Sequence, residues 1–277
     1  MPPVRDMSYH EFNVMLGVLG RAAVRTIDII GGEPTLHPDI TTFVRSAVNR
    51  GFSVAISSNG SNLGALEEIM SIGKEVTVGI SINERETLEQ VSGFIRTHKP
   101  VVKTVFTDDV DFGLVNRILS LKPEKFHLIY RDALDQHELK AALPFHRFAA
   151  EVAQRFDPGQ VGTVFCSGFL PDTENYPELT AARCPAGTTK LGVLPDGSVY
   201  PCNLFFGNEK FKIGNILQDP FEAVWRHHTL SFFRSHAGNR CEKTSCRLHA
   251  RCHGGCPAHG FFLASDVSAP DPRCGAK

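Results

Sequence analysis

Eight cysteines are the residues best suited to chemistry in this 277-residue chain, and all of them lie at or after position 166. They are Cys166, Cys184, Cys202, Cys241, Cys246, Cys252, Cys256 and Cys274, with Gly197 placed as Cys184-x12-Gly197-x4-Cys202. The middle group runs Cys241-x4-Cys246-x5-Cys252-x3-Cys256. The opening residues MPPVRDMSYHEF carry no apolar signal core, so a cytoplasmic location is expected, where thiols stay reduced. Clustered thiols in that setting read as metal ligands rather than disulfides. Two centres fit such a donor set, a four-thiolate zinc site or an iron–sulfur cluster. Gly254 and Gly255, just before Cys256, would let backbone amides reach cluster sulfurs, but the residues alone leave the two centres level.

A second set lies in the cysteine-free part. Ile27-Asp28-Ile29-Ile30 runs into Gly31-Gly32-Glu33-Pro34, which places a carboxylate at the end of a strand beside two glycines. There it can pair with an ammonium group, and the glycines admit a ligand close to the backbone. Taken alone, a Gly-Gly pair is more often an ordinary β-α turn, by roughly two to one. It recurs with company: Ser57-Ser58-Asn59-Gly60 and Gly79-Ile80-Ser81-Ile82-Asn83 end the next two apolar runs with small polar groups.

Positioning these groups requires strands that all end on one face. Apolar β-branched runs at 24–30, 52–57, 75–82, 101–107 and 125–130 alternate with amphipathic stretches at 38–49, 63–72, 84–97, 112–121 and 144–155. That alternation predicts β-α units around a parallel sheet, with a further helix over 8–21 preceding them. Asn83 and Asp111 are expected N-caps. Beyond about residue 157 the alternation gives way to Pro, Gly and Cys, so the expected division is a domain over 1–160 and a cysteine-rich domain over 161–277.

Lys and Arg number 29 against 30 Asp and Glu, a net charge of −1, which argues against a broad nucleic-acid or anionic-membrane footprint. No apolar run reaches the ~20 residues of a membrane span. Phe205, Phe206, Phe211, Trp225, Phe232 and Phe233 are read as packing around the cysteine groups. His249, His253 and His259 receive no ligand role, and Asp108, Asp109 and Asp132 are read as caps or solvated charges.

The combination resembles the radical S-adenosylmethionine (SAM) superfamily with a C-terminal SPASM domain. The resemblance implies a partial (β/α)6 barrel lacking its first strand, followed by a small Cys-rich α+β domain. It implies that Gly31, Gly32, Glu33 and Pro34 contact the methionyl amino group, and that Ser58, Asn59 and Ser81 help hold SAM, while Asn83 departs from the usual Asp. The SPASM pattern departs only at the four residues between Cys241 and Cys246. By the same resemblance Cys184, Cys202 and Cys256 ligate a first auxiliary [4Fe–4S] cluster, with Cys166 or an open iron site completing it. Cys241, Cys246, Cys252 and Cys274 ligate a second.

The superfamily's C-x3-C-x2-C loop, which holds the core cluster, does not occur in these 277 residues and is expected in a longer form of the chain. The implied activity is reductive cleavage of SAM to a 5′-deoxyadenosyl radical that modifies a peptide, protein or cofactor precursor, with a flavodoxin- or ferredoxin-type reductant. A non-catalytic iron–sulfur protein that binds a partner or transfers electrons is the alternative.

Overall fold

A computed structural model describes residues 5–157, 159–164, 184–234, 240–246 and 254–275. Helix α1 (Tyr9–Arg21) leads, capped by Ser8, whose hydroxyl accepts from Glu11 N while the Glu11 carboxylate accepts from Ser8 N. There follow β1 (Thr26–Ile29), α2 (Ile40–Asn49), β2 (Ser53–Ser58), α3 (Leu63–Met70), β3 (Val76–Ser81) and α4 (Arg85–His98). The series continues with β4 (Val101–Phe106), α5 (Phe112–Ser120), β5 (Lys125–Tyr130), α6 (Gln136–Ala141), α7 (Phe145–Arg155) and β6 (Gly162–Val164). All six strands are parallel and hydrogen-bonded in chain order, forming a curled half-barrel.

Alternate strand residues point to opposite faces. The helix-covered face buries Val54, Ile56, Val78, Ile80, Val102, Phe106, Phe126 and Leu128, which form the core with Phe43, Val44, Leu66, Val91 and Ile118. The concave face carries the less buried Asp28, Ala55, Ser57, Lys103 and His127.

Five strands fall where the apolar alternation predicts, shifted at their ends by at most two residues. The sixth, β6, is only three residues long and beyond residue 160, too short to register as a periodic run. It pairs with β5 through Gly162, where any side chain would collide with the His127 ring at 2.2 Å. Asp111 caps α5 as expected, accepting from Leu114 N at 3.1 Å. Asn83 does not cap α4; Glu84 holds that position. The Asn83 side chain instead accepts from Val105 N at 2.8 Å, since a strand edge with an open amide lies closer than the helix start.

The second part contains a small antiparallel sheet of β7 (Gly192–Val193), β8 (Ser198–Tyr200) and β9 (Gly214–Asn215), with helices α8 (Phe221–Trp225), α9 (Leu230–Arg234) and α10 (Pro257–Ala264). Gly197 turns the β7–β8 hairpin at φ 84°, with a neighbouring Asn215 Oδ1 only 2.4 Å from where a Cβ would stand. Phe205, Phe211 and Phe233 are buried and Phe206 and Phe232 pack on them, as the sequence reading expects. Trp225 stacks on Phe221 at 5.9 Å beneath the Arg234 guanidinium. Val199, Ile213, Ile216, Val224 and Leu230 join the barrel's own core, so the two parts share apolar packing.

Candidate active site

At the carboxyl end of β1, Gly31 and Gly32 take φ values of 100° and 39°, and a Cβ on either would meet nothing within 4 Å. Glycine is therefore required by backbone conformation, and the space above it is open. The chain then turns Glu33 back across the end of β2. Its carboxylate accepts from Thr35 N at 3.0 Å, Thr35 Oγ1 at 2.5 Å, Ser58 Oγ at 2.8 Å and Asn59 N at 2.6 Å. Burial pushes the Glu33 pKa up, but these four donors outweigh it and hold the carboxyl below its ordinary value. The result is a fixed anion at the mouth of the half-barrel. Pro34 opens the one-turn helix behind it, with Glu33 as its cap.

Ser58 and Asn59 thus act on Glu33, and Gly60 follows with its amide on Ser58 Oγ at 3.0 Å. Ser81 ends β3 in register with Lys103 of β4. Lys103, which the sequence reading missed, crosses the concave face over Gly79 and donates to Ser57 Oγ. Burial lowers the Lys103 pKa, while nearby Asp28 opposes that shift. Strand alternation placed Lys103 on the concave face in principle, but with no acidic neighbour in sequence it carried no motif. On β5, Leu128 and Tyr130 turn to the helix side, and the Tyr130 hydroxyl donates to Leu143 O at 2.6 Å, so only Ile129 of that trio faces the cavity side.

Cys184, Cys202 and Cys256 line one cavity with Pro185, Lys190 and Ala258. Burial, then the Cys256 and Cys184 sulfurs, push the Cys202 thiol pKa far above its ordinary value. Three thiols facing one another in an apolar setting become stable thiolates only with metal charge between them. Among the described residues no three donors are drawn to one point as a single ion requires. Cys241, Cys246 and Cys274 lie outside that cavity, and no disulfide joins the six described cysteines. Cys166 and Cys252, and with them His249 and His253, fall outside the described residues.

His259, given no ligand role from the sequence, is fully buried on α10. Its Nε2 accepts from Ala133 N at 3.1 Å and lies 3.2 Å from Asp132 Oδ1. Burial lowers the His259 pKa, but Asp132 and Cys256 outweigh it and raise it to about 9. Asp132 is therefore not simply solvated: together with Asp271 it faces Arg273, whose guanidinium lies 2.8 Å from Asp271 and 3.4 Å from Asp132. Only spatial proximity brings these four residues together.

A half-barrel with an anionic, glycine-framed mouth, joined to a thiol-lined domain, defines an α/β enzyme scaffold with a metal-cluster appendage. The SPASM family, described as an iron–sulfur cluster-binding domain, matches residues 184–257. Mycofactocin maturase MftC of Mycobacterium tuberculosis is 35% identical over 310 residues, covering 97% of this chain and 75% of the relative. PqqA peptide cyclase of Rhodopseudomonas palustris is 25% identical, covering 97% and 78%. The crystal structure of Streptococcus suis SuiB bound to precursor peptide SuiA superposes with a TM-score of 0.68 at 20% identity, covering 100% of this chain and 72% of that one. The chain belongs to the radical SAM enzymes that carry a SPASM domain, a family of peptide and cofactor-precursor maturases whose cofactors are SAM and [4Fe–4S] clusters.

Proposed function

We propose that this chain is a peptide maturase that holds the aminoacyl end of SAM between Glu33 and Lys103, and an auxiliary cluster on Cys184, Cys202 and Cys256. The observation that carries the reading is the charge layout of the mouth. A carboxylate fixed by four donors stands at the β1 and β2 ends, and a largely buried ammonium on β4 donates to Ser57 of β2. An α-amino acid presents the complementary ammonium and carboxylate. Gly31, Gly32 and Pro34 shape the approach, with Ser58, Asn59 and Ser81 around it. SAM and the core cluster, when bound, supply the 5′-deoxyadenosyl radical.

Cys241, Cys246, Cys252 and Cys274 hold a second cluster in this reading, with Cys166 available to complete the first. A peptide substrate is supported by SuiB, solved with its precursor peptide, and by the peptide cyclase among the relatives. A flavodoxin- or ferredoxin-class reductant and a cytoplasmic setting accompany the proposal. No helix among the described residues is long and apolar enough to cross a membrane.

Anaerobic reconstitution tests the ligand sets. The 277 residues should take up about eight irons and as many sulfides per chain, and Cys202→Ala should lose about half of each. Zinc without sulfide, or no loss in Cys202→Ala, overturns the assignment. Lys103→Met should weaken SAM binding about tenfold in equilibrium dialysis, the cost of about 1.4 kcal/mol for one lost charge-assisted bond. Unchanged affinity removes Lys103 from the site.

A further inference from the structure

His259 follows Cys256 by three positions, at the start of α10, and none of its side chain is exposed. Gly260, next to it, packs so closely that a Cβ would stand 2.6 Å from Ala269 O, which fixes this turn of helix against the following segment. The two ring nitrogens of His259 face different surroundings. Nε2 accepts the Ala133 N–H, so the proton of the neutral ring sits on Nδ1; a doubly protonated ring paired with Asp132 keeps that proton as well. The Cys256 side chain lies within interaction range of the ring, and Nδ1 lies 3.6 Å from Asp271 Oδ2 with no partner at normal hydrogen-bond distance among the described residues.

A buried donor without an acceptor costs about 1–3 kcal/mol, so such a group in a folded protein calls for an acceptor. The Asp271 carboxylate is already engaged, with Arg273 at 2.8 Å and the Cys256 amide at 3.1 Å. What remains beside Nδ1 is the Cys256 sulfur, which becomes a strong acceptor once it is a metal-bound thiolate.

We infer that His259 donates from Nδ1 to the Cys256 thiolate and is the positioning residue that sets the reduction potential of the first auxiliary cluster. The inference rests on Cys184, Cys202 and Cys256 as that cluster's ligands. A donor on a ligand sulfur stabilises the reduced, more negative cluster and so raises its potential. Because Nε2 sits 3.1 Å from Ala133 N and 3.2 Å from Asp132 Oδ1, just past the end of β5, the same ring ties the cluster to the half-barrel.

The test is an EPR-monitored redox titration of the reconstituted full chain, following the signal that disappears in Cys202→Ala. His259→Gln keeps a polar group near Nε2 but withdraws the donor from Cys256. Its reduced-to-oxidised ratio at a given potential should fall at least tenfold, a shift of about 59 mV for a one-electron couple. His259→Asn places an amide donor near the Nδ1 position and should return the ratio to within about threefold of the unsubstituted chain. If His259→Gln takes up no iron, His259→Leu takes its place under the same criterion, with His259→Asn as the restoring variant. Unchanged potentials with full iron in His259→Gln overturn the inference while leaving the ligand set standing. An unsubstituted chain without a Cys202-dependent signal overturns the ligand set, and the inference with it.

Discussion

Replacing Glu33 with alanine should weaken SAM binding by at least about 100-fold, the largest effect expected of any single substitution at the mouth. Truncating one partner of a hydrogen-bonded charge pair costs about 2–5 kcal/mol, and each 1.4 kcal/mol is about tenfold in affinity. Glu33 is suited to that role because its carboxyl stays ionised: the Thr35, Ser58 and Asn59 donors hold its pKa down against burial. Glu33→Gln separates charge from shape, since an amide oxygen still accepts from Ser58 and Thr35 but carries no charge for an ammonium. Equilibrium dialysis with SAM, run beside thermal unfolding, reads both effects. Affinity in Glu33→Gln within threefold of the native chain would show that the carboxylate serves the β1–β2 junction and not the cofactor.

Arg273→Met should lower stability by about 3–5 kcal/mol, because it removes the principal partner of buried Asp271 and leaves only His259, at 3.6 Å. Arg273 is 5% exposed, and it also donates to Arg131 O at 2.8 Å and lies over the Tyr130 ring at 4.7 Å. A fall of roughly 10 °C in the thermal midpoint is the expected readout. The double change Arg273→Met with Asp271→Leu should recover part of that loss, since replacing both buried partners is far milder than removing one. No recovery would mean that the stabilisation comes from packing.

Burial pushes the Asp271 pKa up, but Arg273 outweighs it and leaves it below its ordinary value. A carboxyl lowered in the folded state contributes stability that is present above the unfolded pKa of about 3.9 and is lost as pH falls through the folded one. The Arg273→Met penalty should therefore be full at neutral pH and shrink below about pH 4.

The strands and helices of the half-barrel were legible because each is long enough to show its period: six residues of alternation in β2 to β5, eleven or more of helical pattern in α4 and α7. Gly31-Gly32-Glu33-Pro34 and the cysteine spacing were legible because they are local in sequence. Strand β6, three residues supported by pairing with β5, was not, nor was helix α6, a six-residue segment whose start rests on Asp135 accepting from Glu138 N.

The sequence by itself determined the parallel β-α order, the placing of polar groups at strand ends, and the gathering of the thiols in the second part, since all three are written in short-range periodicity and residue type. Only the tertiary structure decided that Lys103 reaches Ser57 across Gly79, that Asn83 serves a strand edge instead of a helix cap, and that His259, Asp132, Asp271 and Arg273 meet where the two parts pack. The reason is one of range. A period or a motif is fixed by neighbours a few residues away, whereas a partly buried ion pair such as Arg273 with Asp132 joins positions 141 residues apart, and nothing in either segment marks the other as its partner until the chain has closed.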